Sequence, residues 1–293
     1  MKEKSALYVS VMFASLFAVM GVVFGIAIQS SMVMFDGIYS SISVVLSILS
    51  VVVLGIVVSS EEDEAFPFGK WHFEPALVVF KSLVIVGLCL YSMSQAISDL
   101  LSGGNEVDAG WAMLYAGVST ALCLAVFLYL KFQNRKLNSS LLKAETDQWL
   151  GDTLLSLGVM IGFGVSLAMR GTPWEGLIPY TDPFMVIVAS LLFISFPMGS
   201  LLQGFRQLLF FRTDRQLSGK VKDQIAQIAE EMKASYKIHL VKIGRETFLE
   251  VNFKVADRSF SVREMDQLRS QIAAGIEGDL WLNMSITSEQ KWM

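Results

Sequence analysis

The chain has 293 residues, of which 53% are hydrophobic and only 17% are charged, and its mean hydropathy is +0.53. Soluble domains average about a quarter charged residues, so this composition excludes an ordinary soluble protein. The net charge of −4 argues against nucleic acid as a partner. The apolar residues are concentrated in six long runs that end near residue 212, which predicts an α-helical membrane protein with six transmembrane helices and a soluble C-terminal domain.

The first two runs predict spans over residues 7–28 and 32–58, joined by a short turn. Gly21 and Gly25 lie four residues apart on the first span, and such pairs of small residues allow two membrane helices to approach closely. We therefore expect this face to pack tightly against a neighbouring helix.

Two of the runs carry polar residues at i, i+3 and i+7, a spacing that places each set on one face of a helix. The second run has Asp36, Tyr39 and Ser43, and the fifth has Glu145, Gln148 and Asp152. A carboxylate inside a membrane-length helix is costly and normally faces a partner, a cavity or a transported ion. We predict that Asp152 helps to form a cation site inside the bundle, with Glu145 as a gate or funnel residue.

The remaining runs predict spans over residues 75–101, 111–130, 143–169 and 183–202. Lys81, in the third span, either extends its amine back to the membrane interface or acts as counter-ion of a bundle carboxylate. Pro197 is expected to kink the last span. Cys89 and Cys123 lie within apolar runs and are predicted to be small core residues.

The distribution of Lys and Arg indicates the orientation in the membrane. These residues precede the first span and follow spans four and six, so both termini are predicted to be cytoplasmic.

The C-terminal segment has the periodicity of a small α/β domain. Helical patterns cover residues 218–234 and 262–276, and strand patterns cover 238–243, 247–255 and 280–286. The order αββαβ predicts an open, ferredoxin-like sheet with helices on one face. We therefore divide the chain into a transmembrane domain, residues 1–213, and a cytoplasmic dimerisation domain, residues 214–293.

Several local motifs, in this order and topology, resemble those of the cation diffusion facilitator family. They are the second-span entry at residues 30–40, Phe66-Pro67-Phe68-Gly69 with Glu74 before span three, Leu142-Lys143-Ala144-Glu145 before span five, and Thr181-Asp182-Pro183 before span six. The resemblance covers nearly the whole chain. It implies a homodimer that exports a divalent transition metal in exchange for protons.

The resemblance also indicates where the metal would bind. The family's four ligands, two on span two and two on span five, fall at Tyr39, Ser43, Gln148 and Asp152 of this chain, and only Asp152 keeps a strong ligand. Asp36 lies close to one turn before the first of these positions and is predicted to reach into the same site. The predicted metal site therefore consists of Asp36 and Asp152, with Tyr39, Ser43 and Gln148 supplying or orienting weaker ligands.

This donor set contains carboxylate, amide, hydroxyl and phenol oxygens, but no histidine. Zinc sites prefer nitrogen and sulfur ligands, so we expect Mn²⁺, Mg²⁺ or Fe²⁺ rather than Zn²⁺ as the substrate, and no resident cofactor. In the C-terminal domain, the family's regulatory ligands match Ile238, Asn252, Asn283 and Ser285, with His239 adjacent. We therefore doubt a metal site there, although the dimer role can remain.

The sequence thus predicts a secondary transporter that exports a divalent cation across a bacterial inner membrane by proton antiport, and it shows no constellation typical of an enzyme. Two alternatives remain open. One is a non-transporting regulator or scaffold with a decayed site; the other is a monovalent-cation transporter in which Lys81 pairs with Asp36 or Asp152. An amine close to either carboxylate would favour the last of these, and a cavity that reaches Asp152 would favour a transporter over a scaffold.

Overall fold

A computed structural model describes residues 2–58, 66, 69–137, 140–211, 215–244, 246–256, 259–276 and 278–292. The acidic cluster at residues 61–64, Pro67 and Phe68 of the aromatic motif, and the predicted domain boundary between residues 213 and 214 lie outside these ranges.

Within the described ranges, six helices are long and apolar enough to cross a membrane. They are α1 (Lys2–Ala27), α2 (Ser31–Val58), α3 (Phe73–Leu101), α4 (Ala109–Leu137), α5 (Ser140–Ala168) and α6 (Ile178–Leu208). The six predicted spans are therefore confirmed, although several of their ends are shifted by a turn or more. α4 runs about two turns past the predicted residue 130, into a stretch that contains Lys131, Arg135 and Lys136.

The sixth helix begins at Ile178 rather than at Pro183, where the sequence places its start. A proline inside a helix cannot donate to the carbonyl four residues earlier, which here is that of Pro179. That carbonyl instead accepts from the backbone N–H of Asn105 over 2.8 Å. The α3–α4 connection thus satisfies the group that Pro183 leaves free, and the helix continues through the proline.

Two compact units make up the chain. The first comprises Met1–Ser50 and Lys81–Met198. Its main core takes a buried residue from each of five helices: Phe35 of α2, Cys89 of α3, Tyr115 of α4, Phe163 of α5 and Val186 of α6. Cys89 and Cys123 are both buried free thiols, which confirms the prediction of core residues.

The α1–α2 hairpin packs through glycines. A Cβ added to Gly37 would lie 2.3 Å from the backbone nitrogen of Val22, and one added to Gly21 would lie 2.5 Å from Cα of Gly37. Gly25 stands equally close to the backbone of Met34. The predicted small-residue face of the first span is therefore confirmed, and its partner is the start of α2.

The second unit comprises Val51–Phe80 and Gly199–Met293 and contains the C-terminal domain. Its elements are α7 (Arg215–Glu231), β1 (Ser235–Ile243), β2 (Glu246–Lys254), α8 (Val262–Ala274) and β3 (Asp279–Thr287). β2 is the central strand, antiparallel to β1 and parallel to β3. Alternate strand residues such as Leu249, Val251 and Phe253 form a core with Ile225 of α7 and Ile272 of α8. The predicted αββαβ order is confirmed.

Candidate cation site

The first unit contains a cavity of about 540 Å³ between α2, α5 and α6. Its wall is mostly apolar, and polar side chains contribute only a small part of it. Those polar residues are Tyr39 of α2 and Asp147, Gln148 and Asp152 of α5. The cavity thus gives access to the carboxylate that the sequence predicts as the centre of a cation site.

All five predicted site residues belong to the described part of the chain, and three of them line this cavity: Tyr39, Gln148 and Asp152. Asp36 and Ser43 are half-buried and are absent from the lining. Ser43 lies next to the Tyr39 hydroxyl, and Tyr39 in turn is close enough to Asp36 and Asp152 to interact with both charges. The polar residues of α2 and α5 therefore lie near one another around Tyr39.

A sixth residue near these five, Tyr115 of α4, was not predicted. Its buried hydroxyl donates to Oδ2 of Asp36 over 3.1 Å. The hydroxyl fits because α1 has a glycine beside it: a Cβ on Gly21 would come within 3.0 Å of the Tyr115 oxygen. No local pattern in the sequence of α4 marks this tyrosine, because its partner Asp36 lies on another helix, 79 residues away in the chain.

The two carboxylates, Asp36 and Asp152, have no salt bridge to a basic side chain among the described residues. Asp36 and Asp152 interact electrostatically with each other, and Asp152 also interacts with Glu145. Lys81, also within the described ranges, forms no salt bridge with either aspartate and is half-buried. Two uncompensated acids inside membrane-length helices are a strong attractor for a cation.

Glu145 has a partner of its own on α1. Its carboxylate accepts from the hydroxyl of Ser10, and that hydroxyl in turn accepts from the indole Nε1 of Trp149 over 2.7 Å. Since α5 begins at Ser140, Glu145 lies in its second turn and does not cap the helix start. Glu145 therefore links α1 to the N-terminal part of α5, the same helix that carries Asp152.

A second buried polar cluster lies at the opposite ends of the helices. Asp182 of α6 is 1% exposed and accepts from the backbone N–H groups of Ser31 and Met32 over 2.8 and 3.2 Å. It also accepts from Ser30 Oγ over 2.6 Å. Asp182 thus supplies from another helix the acceptor for the first two N–H groups of α2, while Ser30 Oγ accepts from the N–H of Val33 over 3.1 Å.

Asn105, in the α3–α4 connection, completes this cluster. Its amide donates over 3.2 Å to both Asp182 and Asp99, and over 2.9 Å to Ser31 Oγ. One amide therefore connects the ends of α2, α3 and α6. Asp182 belongs to the motif Thr181-Asp182-Pro183, which is visible in the sequence. Its contact with the start of α2 is visible only in the tertiary structure.

Among the described residues of the C-terminal domain, and of the whole chain, no three His, Cys, Asp or Glu side chains are arranged so that they could hold a metal ion together. His239 lies opposite Glu250 on the neighbouring strand, and Asn283 lies opposite Glu250 on the other side. Ser285 donates to Asn252. The positions matched to the family's regulatory ligands thus hold amide, hydroxyl and, at Ile238, apolar groups.

Comparison with known proteins agrees with the six transmembrane helices. The family model of the cation efflux transmembrane domain matches residues 7–209, well over half of the chain. The chain belongs to the cation efflux, or cation diffusion facilitator, family. It is therefore a multi-pass membrane protein that transports metal cations, and not an enzyme.

Two relatives extend this similarity into the C-terminal domain. The manganese efflux system protein MneP of Bacillus subtilis is 24% identical over 253 residues, which are 86% of this chain and 83% of that protein. The magnetosome protein MamB of a Magnetospira species is 23% identical over 262 residues, covering 88% of this chain and 84% of that protein.

Proposed function

We propose that this member of the family exports a divalent metal cation through a site built on Asp152 and Asp36. The observation that carries the proposal is that Asp152 lines the cavity, and that neither Asp152 nor Asp36 has a basic partner among the described residues. The carboxylates supply the charge, and Tyr39, Gln148 and Ser43 supply or orient weaker oxygen ligands.

Manganese is the first candidate substrate. Oxygen donors suit Mn²⁺, Mg²⁺ and Fe²⁺, whereas Zn²⁺ prefers nitrogen and sulfur. The relative MneP is named for manganese efflux. Both considerations favour a hard divalent ion over Zn²⁺.

Export by alternating access would expose Asp152 first to the cytoplasm and then to the outside. Cation binding would displace protons from the carboxylates, and their return from the other side would reset the site, which gives proton antiport. We place the protein in a bacterial inner membrane as a homodimer with both termini cytoplasmic, as the distribution of Lys and Arg indicates.

The two alternatives are less well supported. A scaffold with a decayed site has no need for a cavity that reaches an intramembrane carboxylate. A monovalent-cation transporter based on Lys81 needs its amine beside Asp36 or Asp152, and no such salt bridge is formed.

The test is cation flux into proteoliposomes under a pH gradient, with Mn²⁺, Mg²⁺, Fe²⁺, Co²⁺, Zn²⁺ and Na⁺ in separate assays. We expect flux of one hard divalent ion, accompanied by proton movement, and its loss in Asp152→Asn. Glu106→Gln, an exposed acid in the α3–α4 connection, serves as the control and should transport normally. Undiminished flux in Asp152→Asn would refute the site. If folded wild-type protein gave no flux of any ion, the result would favour the scaffold.

A further inference from the structure

The cavity at Asp152 is much larger than a metal ion needs. A divalent ion binds oxygen ligands at about 2.0–2.6 Å, which calls for a small polar pocket. This cavity measures about 540 Å³ and is lined mainly by apolar side chains. Sites for organic ligands typically measure about 300–1,000 Å³ and combine apolar walls with a few polar groups, which describes this cavity well.

Aromatic rings gather at the same cavity. The Tyr39 and Phe193 rings are 4.4 Å apart between centroids and inclined at 69°, and Phe196 lies 6.2 Å from Phe193. All three rings line the cavity together with Asp152. Ring faces attract organic cations, and a neighbouring carboxylate adds direct charge attraction.

The cavity also opens toward the surface of the helices. Three of its lining residues are largely exposed: Leu154 by 60%, Phe184 by 60% and Phe196 by 76%. Its described lining includes two aspartates and no Lys or Arg. A ligand that enters from the bilayer is therefore expected to be apolar in body and positive in charge.

We propose that this cavity binds lipophilic organic cations, such as aromatic ammonium or phosphonium ions. The charged centre would lie at Asp152 and Tyr39, and the apolar body would contact Phe193 and Phe196. The organic-cation site and the proposed metal site share Asp152, so a divalent substrate and an organic cation would exclude each other. Only this expected competition rests on the proposed function.

The experiment measures binding of tetraphenylphosphonium to the purified full chain in detergent by equilibrium dialysis. Triphenylphosphine oxide, which has similar aromatic groups but no net charge, is the charge control. We expect the cation to bind more tightly than the neutral compound, and Asp152→Asn to abolish that preference. Phe193→Ala should weaken binding of the cation about tenfold. Phe196→Ala, at an exposed ring whose removal spares the fold, should weaken it as well, while Phe80→Ala on α3 should not.

Two results would overturn the inference. Equal affinity for the charged and neutral compounds would mean an apolar groove that lipid chains fill. Failure of folded, dimeric protein to bind either compound would mean that a second copy of the chain covers the cavity. Metal flux is measured after the same purified protein is reconstituted into proteoliposomes. Binding of tetraphenylphosphonium without flux of any metal would refute the proposed function alone, and flux without binding would refute this inference alone.

Discussion

Tyr115 of α4 and Asp36 of α2 are joined by a hydrogen bond of 3.1 Å from the phenol to the carboxylate. The tyrosine is 3% exposed, so the bond lies inside the helix bundle rather than in solvent. It fixes the orientation of one of the two acids on which the proposed site depends, and it does so from a helix that contributes no acid of its own.

Replacing Tyr115 with Phe removes this donor and little else. A buried hydrogen bond to a charged group is worth about 1.5–3 kcal/mol, so loss of the orientation of Asp36 should raise the KM for the transported cation about tenfold or more. The measurement is the concentration dependence of flux in proteoliposomes. Tyr129→Phe, on the exposed side of the same helix, is the matched control. An unchanged KM in Tyr115→Phe would show that this bond does not serve the site.

The polar residues of the site differ in how far sequence could predict them. Asp36 and Asp152 stand out because each is a carboxylate on a helix face, and helical periodicity suffices to group them with Tyr39 and Gln148. Tyr115 and Asp182 act across helices, so their partners are far apart in sequence and no local pattern indicates them. The same holds for the fold. Hydropathy predicts the helices, but the first turn of α6 includes the carbonyl of Pro179, which accepts from the N–H of Asn105, more than seventy residues away.

The glycine contact between α1 and α2 makes a clear prediction for Gly37→Ala. The new methyl carbon would lie 2.3 Å from the backbone nitrogen of Val22, and a backbone cannot rotate away as a side chain can. We expect separation of the two helices at a cost of about 1–3 kcal/mol or more, seen as a lower Tm in detergent. Gly117→Ala meets nothing within 4 Å and should leave Tm unchanged or slightly higher. Equal Tm values for the two variants would contradict the close contact.

Asp182→Ala should destabilise the start of α2. It removes the acceptor for the Ser31 and Met32 N–H groups, and loss of a helix cap costs typically about 1 kcal/mol, up to about 2 kcal/mol. Asp182→Asn keeps one acceptor oxygen and should lose less. Hydrogen exchange at residues 31–34 and the Tm of the whole protein report the effect, with Glu106→Ala as the exposed control. Normal exchange at these amides in Asp182→Ala would show that another group caps α2.

The C-terminal domain should respond to pH through Glu246 at the start of β2. Burial, with a smaller contribution from Asp279 on the neighbouring strand, raises the pKa of this carboxyl above its ordinary value of 4.5. A raised pKa in the folded state means that the folded state binds the proton more tightly than the unfolded state does. Ionisation of Glu246 therefore destabilises the fold as the pH rises above 4.5, the ordinary pKa of the carboxyl. Glu246→Gln should therefore slow hydrogen exchange of β2 and β3 at neutral pH and have no such effect below about pH 4. Glu289→Gln, at an exposed acid, should match wild type at both pH values, and a pH-independent effect of Glu246→Gln would contradict ionisation as the cause.

A final prediction concerns the choice of metal. Gln148 lies one turn before Asp152 and lines the same cavity, at the position where the family resemblance expects a His or Asp ligand. Gln148→His would add an imidazole nitrogen to an oxygen-only set, and nitrogen ligands favour Zn²⁺. We expect the ratio of Zn²⁺ flux to Mn²⁺ flux to rise in this variant. Gln95→His, on the exposed face of α3, adds the same group away from the cavity and should leave the ratio unchanged. An unchanged ratio in Gln148→His would place the metal path elsewhere, because a nitrogen ligand beside Asp152 would then have no contact with the ion.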